Sequence, residues 1–333
     1  MSSPIQQIFR LGFPWQTQDP FLFCVYHLDH YPRGNGEMGP DASLEGRDLG
    51  NDFTLKDGWR MYHGESIPGF PAHPHRGFET ITIVNKGFCD HSDSLGAAGR
   101  FGQGDVQWMT AGSGVQHSEM FPLLNTEKDN TLELFQIWLN LPKANKFVPP
   151  HFKMLWHEDI PVLQQEGVRI KVIAGSFKDT DAPEPAPDSW AATTTNEVAI
   201  WNIHIESGSN FILPKASQDL SRTLYFYEGE AIEIDNQKIM PNHGIQLNSV
   251  EDVIIGAKTK TASLLLLQGK PIAEPVAKYG PFVMNSDDEI QKAMQEYQLT
   301  QFGGWPWRYP DNVHEVDKGR FAKYPDGTLV EKS

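Results

Sequence analysis

Apolar residues recur at every second position over short runs in this chain, and the runs end in clusters of Gly, Asn, Asp and Pro. FLFCVYHL (21–28), ETITIV (79–84), DVQWMTA (105–111) and LELFQIWLNL (132–141) are such runs. After residue 165 the pattern restarts with VRIKVIAG (168–175), VAIWNIHIESG (198–208), RTLYFYEG (222–229), EAIEI (230–234) and ASLLLLQG (262–269). A period of two places alternate side chains on one face of an extended strand. Many short strands punctuated by turn residues predict an all-β sandwich or barrel. One helix is predicted, over SDDEIQKAMQEYQ (286–298). Ser286 and Glu289 form a capping-box pattern, acids fill the first turn, and Ile290, Ala293, Met294 and Tyr297 share one face. The stretch FGGWPWRYP (302–310) is too aromatic for a free linker and is expected to dock on the barrels.

The restart implies two β units. ETITIVNKG (79–87) and RTLYFYEG (222–229) both run alternating apolar residues into a glycine turn, as diverged copies would. The expected division is 1–150, 151–285 and a C-terminal helix and tail over 286–333, with the boundary near 145–165. DTDAPEPAPDSWAATTTNE (179–197) reads as a surface loop inserted in the second half.

Composition narrows the classes. With 39% hydrophobic residues, 29 Gly and 24 Pro in 333 residues, the chain is globular, turn-rich and long enough for two ordinary domains. Its net charge of −15 argues against direct, sequence-independent nucleic-acid binding, which needs clustered Lys and Arg. No apolar run reaches membrane-spanning length, and MSSPIQQIFR lacks the basic and apolar regions of an export signal. Cys24 and Cys89 are too few for a disulfide framework, so free thiols and a cytoplasmic location are expected.

The candidate chemistry lies in two short stretches. In PAHPHRG (71–77), Pro74 holds His73 in extended chain, where His73 and His75 share a face roughly 6.6 Å apart. In GDVQWMTAGSGVQHSEM (104–120), His117 and Glu119 repeat that spacing after the turn residues Gly112, Ser113 and Gly114. Three imidazoles and a carboxylate suit a single divalent ion, with iron, zinc, copper, nickel, manganese or cobalt all compatible. By strand parity Glu79 competes with Glu119 for the carboxylate position. No His-x-His or His-x-Glu pair occurs after residue 165, so the second half is expected to carry no metal. His204 and His243 stand alone there. His27 and His30 read as surface or loop-end histidines, and Cys89 as an inert thiol. Phe78, Trp108, Met109, Gln136 and Trp138 sit in or beside the motif strands, as core residues or as the wall of a cavity; Gln136, polar in an apolar strand, needs a partner.

HPHRGFETITIV (73–84), GDVQWMTAGSGVQHSEM and GPFVMNSDDEI (280–290) resemble the motifs of the pirin family within the cupin superfamily. The resemblance covers about residues 15–300. It implies a bicupin, two stacked jelly-roll β-barrels, with the ion in the N-terminal barrel held by His73, His75, His117 and Glu119. It also implies two activities. One is a dioxygenase acting on a flavonol such as quercetin with molecular oxygen and releasing carbon monoxide, with iron as the first expectation for the metal and Glu119 as both ligand and base. The other is a metal- or redox-sensing regulator that acts through a protein partner without catalysis.

Overall fold

The computed structural model of the protein describes residues 3–332. Ten strands lead the chain: β1 (Ile5–Arg10), β2 (Phe21–Tyr31), β3 (Gly69–His75), β4 (Phe78–Lys86), β5 (Phe88–Asp93), β6 (Ala98–Gly102), β7 (Val106–Thr110), β8 (Val115–Met120), β9 (Asn130–Asn140) and β10 (His151–Leu155). Further strands follow through the second half. Near the C-terminus come α1 (Asp287–Thr300), the one α-helix among the described residues, and a hairpin of Arg320–Lys323 with Leu329–Lys332. None of the described helices is long and apolar enough to cross a membrane.

The strands build two compact units that interleave along the chain. One unit holds 26–136, 143–157 and the described residues from 274 onward; we call it the N-barrel. The other, the C-barrel, holds the described residues up to 25, then 137–142 and 158–273. Division at 150 and 285 therefore does not describe the units. β1 pairs with His243–Leu247 and belongs to the C-barrel, whereas α1 and the terminal hairpin belong to the N-barrel. Alternation identifies a strand but carries no information about its pairing partner, which here lies more than two hundred residues away.

In the N-barrel a five-stranded sheet, ordered β10-β7-β4-β9-β2, faces a six-stranded sheet formed by the terminal hairpin, β6, β5, β8 and β3 in that order. Between them lie Tyr31, Val84, Phe101, Phe121, Leu132 and Phe152, all buried. The C-barrel repeats the plan with a seven-stranded and a four-stranded sheet around Val172, Ile203, Leu224, Phe226, Ile255 and Leu264. β-Branched residues such as Thr80, Ile81, Thr82, Ile83 and Val84 suit pleated surfaces packed on both sides.

Helix α1 begins as its sequence predicts. Ser286 is the N-cap, its Oγ accepting from the Glu289 N–H at 3.3 Å, while Glu289 Oε2 accepts from the Asn285 N–H at 2.9 Å. Ile290 and Ala293 bury against Phe282, Met284 and Phe302.

Candidate metal centre

The motif strands β3 and β8 are antiparallel neighbours, with His73 opposite His117 and Phe70 opposite Glu119. The register shifts between Phe70 and His73, a β-bulge that absorbs one extra residue. β3 lies at the edge of its sheet, which is why it can contain Pro71 and Pro74, residues that cannot donate to a ladder. Two glycines shape the ends of these strands. Gly77 turns the chain into β4 at φ +84°, and a Cβ there would stand 2.0 Å from the Val283 carbonyl oxygen. Gly114 opens β8 at φ +131°, with the Phe302 ring 2.7 Å from where a Cβ would be.

These constraints bring His73, His75 and His117 together. One ring nitrogen from each lies within 4.8 Å of the others, and the ring centroids are 4.5–4.9 Å apart. Nitrogens bound to one ion at about 2.1 Å would be about 3.0–3.4 Å apart, so the cluster needs only a small contraction. His73 Nδ1–H donates to the Pro71 carbonyl at 2.8 Å, which leaves Nε2 available to ligate an ion. His117 is fully buried, and neither of its ring nitrogens has a hydrogen-bond partner among the described residues. An unpaired buried polar atom costs about 1–3 kcal/mol, and a metal ion would relieve that cost, so the residues fit one. Burial holds His73 down to about 4, and His75 and His117 well below the ordinary histidine range, mutual repulsion adding to it. All three are therefore neutral, the ligating form, near pH 7.

Glu119 is buried beside them, its Oε2 3.7 Å from His117 Nε2. Thr82 Oγ1 lies 2.8 Å from Glu119 Oε1 and 2.6 Å from Gln136 Oε1, and Gln136 Nε2 donates to Glu119 Oε2 at 3.1 Å. Thr82 has one proton for two acceptors. The ring is satisfied throughout when Glu119 carries a proton that Thr82 accepts while passing its own to Gln136. Burial raises the Glu119 pKa in the same direction, opposed in part by Thr82, His91 and Gln136.

Glu79 lies elsewhere. Its Oε1 accepts from Trp108 Nε1 at 3.1 Å and Thr110 Oγ1 at 2.8 Å, on the face of β4 opposite to Thr82. The turn at Arg76 and Gly77 breaks the parity that would have carried Glu79 round to the His75 side. Phe78 takes that face instead, its ring 5.1 Å from the His75 ring. Trp108 points away with Glu79, whereas Gln136 meets the carboxylate. His27 is buried, not superficial: Tyr62 Oη, 2.7 Å from its Nδ1, donates onward to Asp29 at 2.5 Å. His30 is exposed, and Cys89 is buried with its thiol pKa pushed up by burial.

His91, which sequence reasoning passed over, backs the cluster. Its ring stacks on Phe152 at 4.9 Å and lies 5.5 Å from His117. Nε2–H donates to Asp93 Oδ2 at 3.1 Å and Nδ1 accepts from Gln107 Nε2 at 2.9 Å, so both nitrogens are occupied. The signal was present in CDHSD, where His91 and Asp93 repeat the i, i+2 spacing. On the half-buried side of His73, Phe53, Tyr62, His63 and Phe70 form an aromatic rim with ring centroids 4.9–6.2 Å apart. The tail borders the same strand, the Ala72 N–H donating to the Pro310 carbonyl at 2.8 Å.

Two jelly-roll barrels in one chain, one with histidines gathered on its inner wall, define a bicupin. A family model described as pirin matches residues 37–139, and one described as the pirin C-terminal cupin domain matches 200–303. The chain belongs to the pirin family. It is 36% identical to a pirin-like protein of Solanum lycopersicum over 238 residues, 71% of this chain and 77% of that protein. It is also 36% identical over 240 residues to a Pseudomonas aeruginosa protein named, provisionally, as a quercetin 2,3-dioxygenase, covering 70% and 79%. Among solved structures, a quercetin 2,3-dioxygenase from Acinetobacter baumannii superimposes with a TM-score of 0.71 at 25% identity, over 91% of this chain and 99% of that one. Residues 304–332 lie beyond both matched regions.

Proposed function

We propose that the chain is a mononuclear, metal-dependent dioxygenase that cleaves a flavonol such as quercetin. His73, His75, His117 and Glu119 would hold one divalent ion, iron in first place. The observation that carries this reading is the convergence of three neutral imidazoles within 4.8 Å beside an aromatic rim. The relatives named for quercetin 2,3-dioxygenase activity supply the substrate class.

The ion, when bound, would act as a Lewis acid that favours the deprotonated flavonol. The remaining work falls to side chains. Pro71 fixes the His73 tautomer, and Phe78 packs against the His75 ring. Phe53 and Phe70, the latter 6.3 Å from the His73 ring and backed by buried Tyr62, offer flat apolar faces to a planar polycyclic ligand. Glu119, ionised when the ion is held, would accept the substrate hydroxyl proton at modest cost, because burial raises its pKa and the ring with Thr82 and Gln136 accommodates the protonated form. In the overall reaction both oxygen atoms of dioxygen enter the organic product, and one ring carbon leaves as carbon monoxide.

Protein loaded with iron should consume oxygen in the presence of quercetin, release carbon monoxide and bleach the visible absorbance of the flavonol. His75→Ala should lose all three. Uptake that persists in His75→Ala would be autoxidation. Absence of uptake with iron, copper, manganese, nickel and cobalt in turn would transfer the assignment to a metal-sensing regulator.

A further inference from the structure

The inner wall of β4 carries a hydroxyl that the fold does not use. Thr80 is fully buried, and its Oγ1 has no hydrogen-bond partner among the described residues. Its direction follows from the pleat, since side chains at 78, 80 and 82 stand on one face. On that face Phe78 touches the His75 ring and Thr82 bonds to Glu119 Oε1. The register agrees. Thr82 is opposite Gln107, which reaches His91 across the barrel, and Thr80 is opposite Met109, whose thioether is a weak acceptor. Thr80 therefore presents an uncommitted proton between the residues that contact His75 and Glu119. A valine would fill the same space without the cost of an unpaired buried hydroxyl, and isoleucine or valine stands at 81, 83 and 84 of the same strand.

We propose that Thr80 orients the ligand of this site by donating its proton to an anionic oxygen, the deprotonated enol or phenol hydroxyl of a compound held at the histidine cluster. The inference rests on the reading that His73, His75 and His117 hold an ion, and it adds a determinant of ligand class. A hydroxyl donor facing an oxyanion makes a charge-assisted bond, which a neutral ether or carbonyl ligand would not match. The residue thereby selects ionised hydroxy-aromatics over their alkylated analogues.

The test uses full-length protein loaded with cobalt(II), whose visible spectrum reports ligand binding, titrated with 4-nitrocatechol. In Thr80→Val, cobalt content should equal that of the wild type, while the Kd for 4-nitrocatechol rises about tenfold, as expected for loss of one charge-assisted bond. The metal-free Thr80→Val protein should melt at the same temperature as wild type or a few degrees higher, because a buried unsatisfied group has been removed. Thr80→Ser, which keeps the hydroxyl, should retain affinity within about twofold of wild type by the same bond count. Unchanged 4-nitrocatechol affinity in cobalt-replete Thr80→Val would overturn the proposal. So would a lower melting temperature of the metal-free variant, since the hydroxyl would then be serving the fold. Failure of the wild type to retain cobalt would instead count against the metal reading beneath it.

Discussion

Replacing Glu119 and Glu79 one at a time separates the two carboxylates by consequences of opposite kind. Glu119→Gln is close to a copy of the protonated side chain. Its amide nitrogen can donate to Thr82 Oγ1 where Glu119 Oε1 now lies 2.8 Å away, and its oxygen can accept from Gln136 Nε2. The ring of three groups survives, so metal-free stability should change by less than about 1 kcal/mol. The anionic donor proposed for the ion is lost, however. Changing even the outer partners of metal ligands costs about 10–100-fold in affinity, and a direct ligand should cost at least that. At fixed metal concentration this is about 1.4–2.7 kcal/mol less metal-induced stabilisation. Glu79→Gln keeps a carbonyl oxygen for Trp108 and Thr110 on the far face of β4, so metal retention should match wild type. The assay is elemental analysis after dialysis against a mild chelator, with thermal melts in the presence and absence of metal. Retention in Glu119→Gln together with loss in Glu79→Gln would refute the geometry argued from the β4 pleat.

Acid should destabilise the metal-free protein. Burial holds His73 to about 4 and His27 to about 3, and His75 and His117 well below their ordinary value, whereas in the unfolded chain each takes up a proton near 6.5. The unfolded state thus binds more protons below that pH. The stability is present above about 6.5 and is lost as pH falls toward 4, by at most about 1.4 kcal/mol per pH unit for each histidine. Glu119 and Asp29, raised by burial, act in the opposite sense and soften the fall. Urea midpoints that stay level between pH 7 and 4.5 would contradict this account. The tail should be an integral part of the N-barrel. Arg100, fully buried, makes two 2.7 Å bonds to Asp90 and donates to the carbonyls of His314, Glu315 and Lys318. Arg100→Leu strands Asp90 and frees the tail, at a cost of about 3–5 kcal/mol. Limited trypsin digestion should then cut beyond residue 303, and a variant as stable and resistant as wild type would show that the clamp is dispensable.

Much of the site was legible in one dimension. Period-two spacing put His73 with His75, and His117 with Glu119, on common faces before any pairing was known. Alternation and turn residues identified the β architecture, and the Ser286 cap located the helix. Gln136 stood out as a polar residue in an apolar strand, and its partner proved to be Glu119. His91 was missed although CDHSD carried the same spacing, because nothing in that stretch distinguishes a ring that supports the cluster from one that joins it.

What the chain could declare alone were relations within a strand, since side-chain direction there depends only on counting by two. Relations between strands were decided by the tertiary structure. The turn at Arg76 and Gly77 sent Glu79 outward and Phe78 inward, reversing an inference that counting alone would support. A bulge between Phe70 and His73 set which histidine faces His117. Pairing placed β1 in the C-barrel and the terminal hairpin in the N-barrel, and buried His27 against Tyr62. A single added residue in a turn or bulge exchanges the two faces of everything that follows, and its presence depends on contacts with partners remote in sequence.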